Sequence, residues 1–170
     1  MHGIVNISVL CKRSRYAILL IVLCASFNTH AQTVAAPALT FAAMDGQKIR
    51  LYDLRGKIVL INFWATSCGI CLKEMPDLIA AYQHYRSRGF EVIAVAMRYD
   101  EPEKIREYVR KQGVPFPVAF DRDGALAREF GQVNGTPTTF LIDKSGRRIS
   151  RTVGVINFKK LRAFLEAQSG

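Results

Sequence analysis

The segment FWATSCGICLKEMP, residues Phe63–Pro76, decides how this sequence is interpreted. Two cysteines, Cys68 and Cys71, are separated by two residues, and a charged pair and a proline follow directly. Such a pair can hold a metal ion, form a structural cross-link, or open and close as a working dithiol. The chain around the segment favours one of these three interpretations.

The hydrophobic pattern changes at the cysteine pair. Residues 58–64, IVLINFW, are almost continuously apolar, which is typical of a strand buried on both faces. From Cys71 to Tyr85 the apolar residues recur at helical spacing. Cys68 is therefore predicted to lie where a buried strand turns into a helix.

This predicted position makes Cys68 a suitable nucleophile. Backbone N–H groups and the helix dipole at a first helical turn favour an anion, so we expect the pKa of the Cys68 thiol to be depressed. Cys71 lies one turn later on the same helix face and can attack a mixed disulfide formed at Cys68. The spacing therefore suits a two-step exchange between thiols and disulfides.

The other interpretations of the pair are weaker. Zinc usually takes four ligands, and the one histidine after residue 31, His84, lies on a predicted helix that packing and solvation explain. A structural disulfide across so short a loop would restrain little of the unfolded chain. A Cu(I) carrier using both thiolates stays open as an alternative, although only Met75 neighbours the pair as a further ligand. We expect no metal site.

Residues 1–31 are predicted to be a secretory signal. Basic residues at Lys12–Arg15 precede the apolar run Ala17–Phe27, and Ala31 offers a small residue for cleavage. As a helix the run would span roughly 17 Å, against roughly 30 Å of hydrocarbon, which is short for a membrane span. An uncleaved anchor is the alternative. Cleavage would remove Cys11 and Cys24, leaving only the pair at 68 and 71.

The composition predicts one globular domain. The 170 residues are 49% hydrophobic and carry a formal net charge of +10. We assign residues 32–38 to a linker and 39–168 to the domain, which we expect to be a monomer.

The basic residues are scattered, not gathered into one patch with aromatics, so nucleic-acid binding is not favoured. The positive surface instead favours acidic partners or anionic membranes.

The order of predicted elements indicates an α/β fold. A hairpin around Asp45-Gly46 comes first, followed by a strand–helix–strand unit, an α-β excursion between Met97 and Thr136, and a closing strand pair and helix. This order predicts a central mixed sheet covered by helices on both faces, with an N-terminal β-hairpin and a central α-β insertion.

A second motif, GTPTTFLID at residues 135–143, places Thr136-Pro137 directly before a predicted strand. An X-Pro bond adopts the cis form at a cost of only roughly 0.5–1 kcal/mol. Together, FWATSCGIC, the helix proline Pro76 and GTPTTFLID resemble the thioredoxin superfamily. Over about residues 39–168 the chain looks most like its exported TlpA/ResA-like branch.

The resemblance implies a thioredoxin-like fold and a role for each matched residue. Cys68 matches the attacking cysteine and Cys71 the resolving cysteine. Trp64 matches a tryptophan that flanks the active site. Pro137 matches a proline that is cis and lies against the cysteine pair, and Thr136 would offer its backbone to an extended client segment.

Glu74 and Asn62 are the informative positions beyond these. In ResA-like proteins an acid at the place of Glu74 influences the cysteine pKa values, so we hypothesise a partly buried Glu74 with a raised pKa that exchanges a proton with Cys71. The alternative is a solvated glutamate paired with a lysine. Thioredoxin has a buried aspartate where this chain has Asn62, and Gly69-Ile70 replaces its Gly-Pro, which leaves the reduction potential open.

The resemblance implies an exported thiol–disulfide oxidoreductase, in the bacterial periplasm or at the outer face of the cytoplasmic membrane. Its expected partners are a client protein with a disulfide, such as one in cytochrome c or copper-site maturation, and a membrane thiol that donates electrons. No organic cofactor is expected. A disulfide-forming oxidase with the same residues is the alternative. A peroxidase is disfavoured because the Pro-x-x-x-Thr-x-x-Cys pattern is missing before Cys68.

Overall fold

The computed structural model describes residues 34–168. The predicted signal or anchor, residues 1–31, lies outside the described residues and stays a prediction. Among the helices of the described range, none has the combination of length and apolar character needed to cross a membrane.

The described chain alternates strands and helices in the predicted order. The strands are β1 Val34–Ala35, β2 Thr40–Ala42, β3 Lys48–Arg50, β4 Ile58–Trp64, β5 Phe90–Ala96, β6 Val118–Phe120, β7 Thr138–Ile142 and β8 Arg147–Val153. The α-helices are α1 Gly69–Tyr85, α2 Pro102–Gln112, α3 Ala125–Glu129 and α4 Phe158–Gln168. Short 3-10 turns cover Leu51–Leu54 and Arg86–Arg88.

The predicted mixed sheet is confirmed. Its strand order is β1-β8-β7-β4-β5-β6, in which β4 runs parallel to β5 and antiparallel to β7. The predicted hairpin forms a separate two-stranded sheet, with Phe41 of β2 opposite Ile49 of β3. The predicted α-β insertion contains α2, β6 and α3, and its strand β6 extends the sheet beside β5.

Two apolar cores lie on opposite faces of the sheet because strand side chains alternate between faces. Leu60 and Trp64 of β4 point into one core, to which α1, α2 and α4 contribute side chains. Ile61 and Phe63 point into the other, which contains residues of the β2–β3 hairpin and of α3. All of β4 is buried, as its continuous apolar sequence predicts.

The second core is centred on three phenylalanine rings. Phe130 packs against Phe140 and Phe63 with ring centroids 5.0 and 5.5 Å apart, and Phe63 lies 5.9 Å from Phe140. All three side chains are fully buried. Burying each phenylalanine side chain contributes roughly 1.5–3 kcal/mol to the stability of the fold. This cluster therefore stabilises the face of the sheet that packs against the hairpin and α3.

The sheet begins earlier in the chain than the sequence indicates. Val34 and Ala35, within the segment assigned to a linker, form β1 and pair with Arg148 and Arg147 of β8. A strand of two residues is too short to show a hydrophobic alternation, so the sequence pattern does not indicate β1.

The strand register brings the motif residues to one edge of the sheet. Trp64 at the end of β4 lies beside Ala96 at the end of β5, and Phe63 lies opposite Thr138 at the start of β7. Thr138 in turn pairs with Val153 at the end of β8. The segments that follow β4, β5 and β8 therefore meet the segment that precedes β7.

Candidate redox site

Cys68 and Cys71 form a disulfide at the first turn of α1. The Sγ–Sγ distance is 2.12 Å and the Cα atoms are 5.3 Å apart. Cys68 is the N-cap of the helix, and its Sγ accepts a hydrogen bond from the backbone N–H of Cys71 at 3.2 Å. The sulfur therefore lies where the helix favours negative charge, as the sequence predicts.

The two cysteines differ in accessibility. Cys68 is half-buried, and the next residues, Gly69 and Ile70, are exposed. Cys71 is only 1% exposed and belongs to the core beneath α1. Cys68 is therefore the more accessible cysteine of the pair, whereas Cys71 is enclosed by the core.

Thr136 and Pro137 lie at the same edge of the sheet. The peptide bond between them is cis, and Pro137 is buried, with its carbonyl accepting a hydrogen bond from Gly154 N–H at 2.8 Å. Thr136 is half-buried, and its Oγ1 lies 3.3 Å from the hydroxyl of Tyr99. The backbone N–H and C=O of Thr136 form no hydrogen bond with any of residues 34–168.

Trp64 lies inside the core and not on the surface. Its side chain is 0% exposed, belongs to the same apolar cluster as Cys71, and packs against Tyr108 with ring centroids 5.2 Å apart. Its indole N–H has no hydrogen-bond partner within residues 34–168. Trp64 therefore packs within the core that also holds Cys71 of the active-site helix.

Glu74 is buried between α1 and the sheet, as hypothesised. The side chain is 5% exposed; Oε1 accepts a hydrogen bond from Asn62 Nδ2 at 3.2 Å, and Oε2 accepts one from Ile156 N–H at 3.1 Å. Loss of water raises the pKa of Glu74, and these two hydrogen bonds oppose the rise only in part. The alternative of a solvated glutamate paired with a lysine is wrong.

Asn62, which stands where thioredoxin has an aspartate, links Glu74 to the sheet by hydrogen bonds. Its Nδ2 donates to Glu74 and also to Thr139 Oγ1 of β7, at 3.0 Å. A carboxylate at position 62 would face Glu74 at the same short range, where two negative charges repel strongly. The neutral amide therefore makes the buried glutamate tolerable. The one polar residue in the run 58–64 is the sequence signal for this contact.

Asp100 is a structural partner that sequence reasoning missed. Its carboxylate accepts hydrogen bonds from the N–H and the hydroxyl of Thr66, at 2.6 and 2.5 Å. These bonds tie the turn before Cys68 to the turn after β5. The partners are 34 positions apart, and no local pattern announces their contact.

Large apolar side chains are exposed around this edge. Ile70, Tyr99, Val153 and Val155 are 51–71% exposed, and each belongs to a segment that the strand register brings there. Clustered exposed apolar residues mark an interaction surface more often than scattered ones do. We call these four side chains the apolar rim; they lie at the same edge of the sheet as the half-buried Cys68.

A cysteine pair at the start of a helix, with Thr136-Pro137 at the same sheet edge, is the arrangement of a thioredoxin-like redox protein. The family model described as the AhpC/TSA family matches residues 33–147. The chain therefore belongs to the AhpC/TSA family, within the thioredoxin-like proteins.

Curated and solved relatives agree with this assignment. The thiol-disulfide oxidoreductase ResA of Bacillus thuringiensis is 37% identical over 132 residues, which are 77% of this chain and 75% of that protein. ResA of Geobacillus thermodenitrificans is 34% identical over 148 residues, 84% of this chain and 83% of that protein. A thioredoxin-family thiol:disulfide interchange protein from Chlorobium tepidum is 28% identical with a TM-score of 0.75, covering 84% and 100% of the two chains. The chain is thus a thioredoxin-like thiol–disulfide oxidoreductase, and the predicted fold and enzyme class are confirmed.

The buried position of Glu74 predicts a measurable titration. In the oxidised protein, NMR titration of the Glu74 carboxyl carbon should give a pKa above the ordinary value of 4.5. Because the folded pKa is raised, the stability contributed by protonated Glu74 is complete below about pH 4.5 and is lost as the pH rises through the folded pKa.

Glu74→Gln should remove this pH dependence from the free energy of unfolding, measured by urea denaturation. Asp77→Asn, at an exposed position of the same helix, is the control and should keep it. A Glu74 pKa at or below 4.5, together with parallel stability curves for wild type and Glu74→Gln, would contradict the account of the site.

Proposed function

We propose that the protein is an exported reductant of client-protein disulfides, with Cys68 as the attacking and Cys71 as the resolving cysteine. The observation that carries this proposal is the difference in accessibility between the two cysteine residues. Thiol–disulfide exchange needs one sulfur that a client can reach and one held back for an intramolecular step.

The first step begins from the reduced dithiol. The Cys68 thiolate attacks one sulfur of the client disulfide, a new Cys68–client S–S bond forms, and the other client sulfur leaves as a thiolate. The position of Cys68 at the start of α1 supports this step because the helix N-terminus stabilises the attacking thiolate.

The second step closes the disulfide that the structure contains. The Cys71 thiol loses its proton, its sulfur attacks Sγ of Cys68, and the second client sulfur leaves as a thiolate. The client gains two electrons and the protein ends as the Cys68–Cys71 disulfide. A dithiol donor must then reduce this disulfide. We assign that role to a membrane thiol because the compartment into which the protein is exported is oxidising.

Glu74 is suited to accept the proton of Cys71. Glu74 lies three residues after Cys71 on the same helix, so the two side chains share a face, and both are buried. A thiol holds its proton more tightly than an ordinary carboxyl group, and the raised pKa of Glu74 narrows that gap. Because Cys71 has little access to water, a base on the protein is needed there.

The edge around Thr136 is suited to bind an extended client segment. The free backbone N–H and C=O of Thr136 can pair with a client main chain in the manner of an added strand. The apolar rim, including Ile70 and Val155, can cover client side chains on both sides of its cysteine. Resemblance to the TlpA/ResA-like branch supports apocytochrome c or a copper-site assembly protein as the client.

The reduction potential separates a reductant from an oxidase that uses the same residues. We expect a value nearer to that of thioredoxin, about −270 mV, than to that of the dedicated oxidase DsbA, about −120 mV. Equilibration in thiol redox buffers can be followed by the fluorescence of Trp64, the single tryptophan, which shares an apolar cluster with Cys71. A potential near that of the dedicated oxidase would replace this proposal with disulfide formation.

Glu74→Gln should slow client reduction by about 10²-fold, since positioned acid–base groups contribute at least that much. It should also move the titration of the Cys71 thiol to lower pH, because a nearby carboxylate opposes a second negative charge. Stopped-flow reduction of a peptide disulfide and thiol absorbance across pH measure the two effects. Lys73→Gln, at the exposed neighbouring position, is the control. An unchanged rate with an unchanged thiol titration would exclude the role of Glu74.

A further inference from the structure

A cleft of about 260 Å³ opens between the end of β5 and the segment that leads to the cis-proline. Its polar lining comes from Arg98, Arg128, Gln132 and Asn134, and Met97 and Val133 line it with apolar atoms. The redox chemistry described above uses none of these side chains.

The two arginines converge on one point of the backbone. A Cβ atom placed on Gly124 would lie 3.0 Å from Arg98 Cδ and 3.6 Å from Arg98 Nε. The same Cβ would lie 3.4 Å from Arg128 Nη1. Gly124, with φ of +74°, thus leaves room for both arginine side chains, which are exposed and approach the same backbone position.

No carboxylate of residues 34–168 lies within 4.0 Å of either guanidinium group. Arg128 Nη1 donates a hydrogen bond to the backbone carbonyl of Asp123 at 2.8 Å, a neutral acceptor that leaves the positive charge uncompensated. The neighbouring acids are used elsewhere: Asp121 accepts from the backbone N–H groups of Leu126 and Ala127, and Asp123 accepts from Ala125. Like charges brought together without a counter-charge repel, and an anion bound between them would relieve that repulsion.

Gln132 adds a second sign of a binding site. It is the one non-glycine residue of the described chain with a positive φ, 57°. Residues that carry a side chain seldom adopt this backbone conformation. Such conformations persist where the surroundings hold them, and they cluster at ligand-binding positions. Here Arg151 fixes the turn by donating to the carbonyl of Gly131 at 2.9 Å. The amides of Gln132 and Asn134 supply further hydrogen-bond donors to the cleft.

The cleft adjoins the place where a client main chain would lie. Asn134 precedes Thr136 by two residues, a separation of at most about 7 Å. On the other side, Arg98 precedes Tyr99, whose hydroxyl contacts Thr136. An extended segment paired with Thr136 would therefore carry a nearby side chain to the mouth of the cleft.

We propose that Arg98 and Arg128 form a subsite for a carboxylate side chain, an Asp or Glu that lies within a few residues of the client cysteine. This inference rests on the proposed binding of a client along Thr136. A planar guanidinium donates paired hydrogen bonds that match a carboxylate, and the amides of Gln132 and Asn134 complete a donor-rich lining. The subsite selects clients with an acidic residue beside the disulfide.

Paired peptides test the subsite. Two peptides share one disulfide and differ only by Asp or Asn at positions flanking a cysteine. Wild type should reduce the acidic peptide about three- to ten-fold more efficiently in kcat/KM at low salt, and the preference should shrink as salt screens the charges. Arg98→Gln and Arg128→Gln should bring this ratio towards one, and Arg98→Lys should restore part of it. Arg110→Gln removes an exposed charge on α2 and should leave the ratio unchanged.

A binding measurement separates this inference from the proposed function. Peptides with serine in place of cysteine are titrated into the oxidised protein and followed by NMR shifts of Gln132 and Asn134. If the acidic peptide binds more tightly than the neutral one, and Arg98→Gln abolishes this difference, the subsite is supported. That conclusion holds even if wild type reduces neither peptide. Failure to reduce any peptide would overturn only the proposed function. Equal binding of both peptides, or a preference that survives in both arginine variants, would overturn the subsite.

Discussion

The buried carboxyl group of Glu74 connects the active-site helix to two other parts of the chain. It joins α1 to Asn62 of β4 and to the backbone at Ile156 before α4, and Asn62 extends the link to β7. Removing a carboxylate from water is costly, and two hydrogen bonds from neutral donors offset only part of that cost. The network therefore fixes the active-site helix on the sheet and keeps the Glu74 carboxyl group buried one helical turn after Cys71.

The sequence predicted the elements that local patterns of residues indicate. A continuous apolar run indicated β4, helical spacing indicated α1, and Asp45-Gly46 indicated the hairpin; all three are confirmed. The place of Cys68 at the junction of β4 and α1 followed from the same change of period, because strands and helices have different periods.

The contacts missed by sequence reasoning join side chains that are distant in the chain. Thr66 with Asp100, and Arg98 with Arg128, become neighbours only through the sheet, and no local pattern reports such pairs. Trp64 was expected to flank the active site, and strand alternation places its side chain in the core that also holds Cys71. The difference between Cys68 and Cys71 in accessibility likewise emerges only when α1 packs on the sheet.

That difference assigns the attacking and resolving roles, and trapping of a mixed disulfide tests the assignment. In a Cys71→Ser variant, reduced and mixed with a client carrying one disulfide, we expect a stable mixed disulfide at Cys68, identified by mass spectrometry of the linked peptide. In Cys68→Ser, the buried Cys71 should trap far less client under the same conditions. Equal trapping by the two variants, or a cross-link that forms at Cys71 alone, would contradict the assignment of attacking and resolving sulfurs.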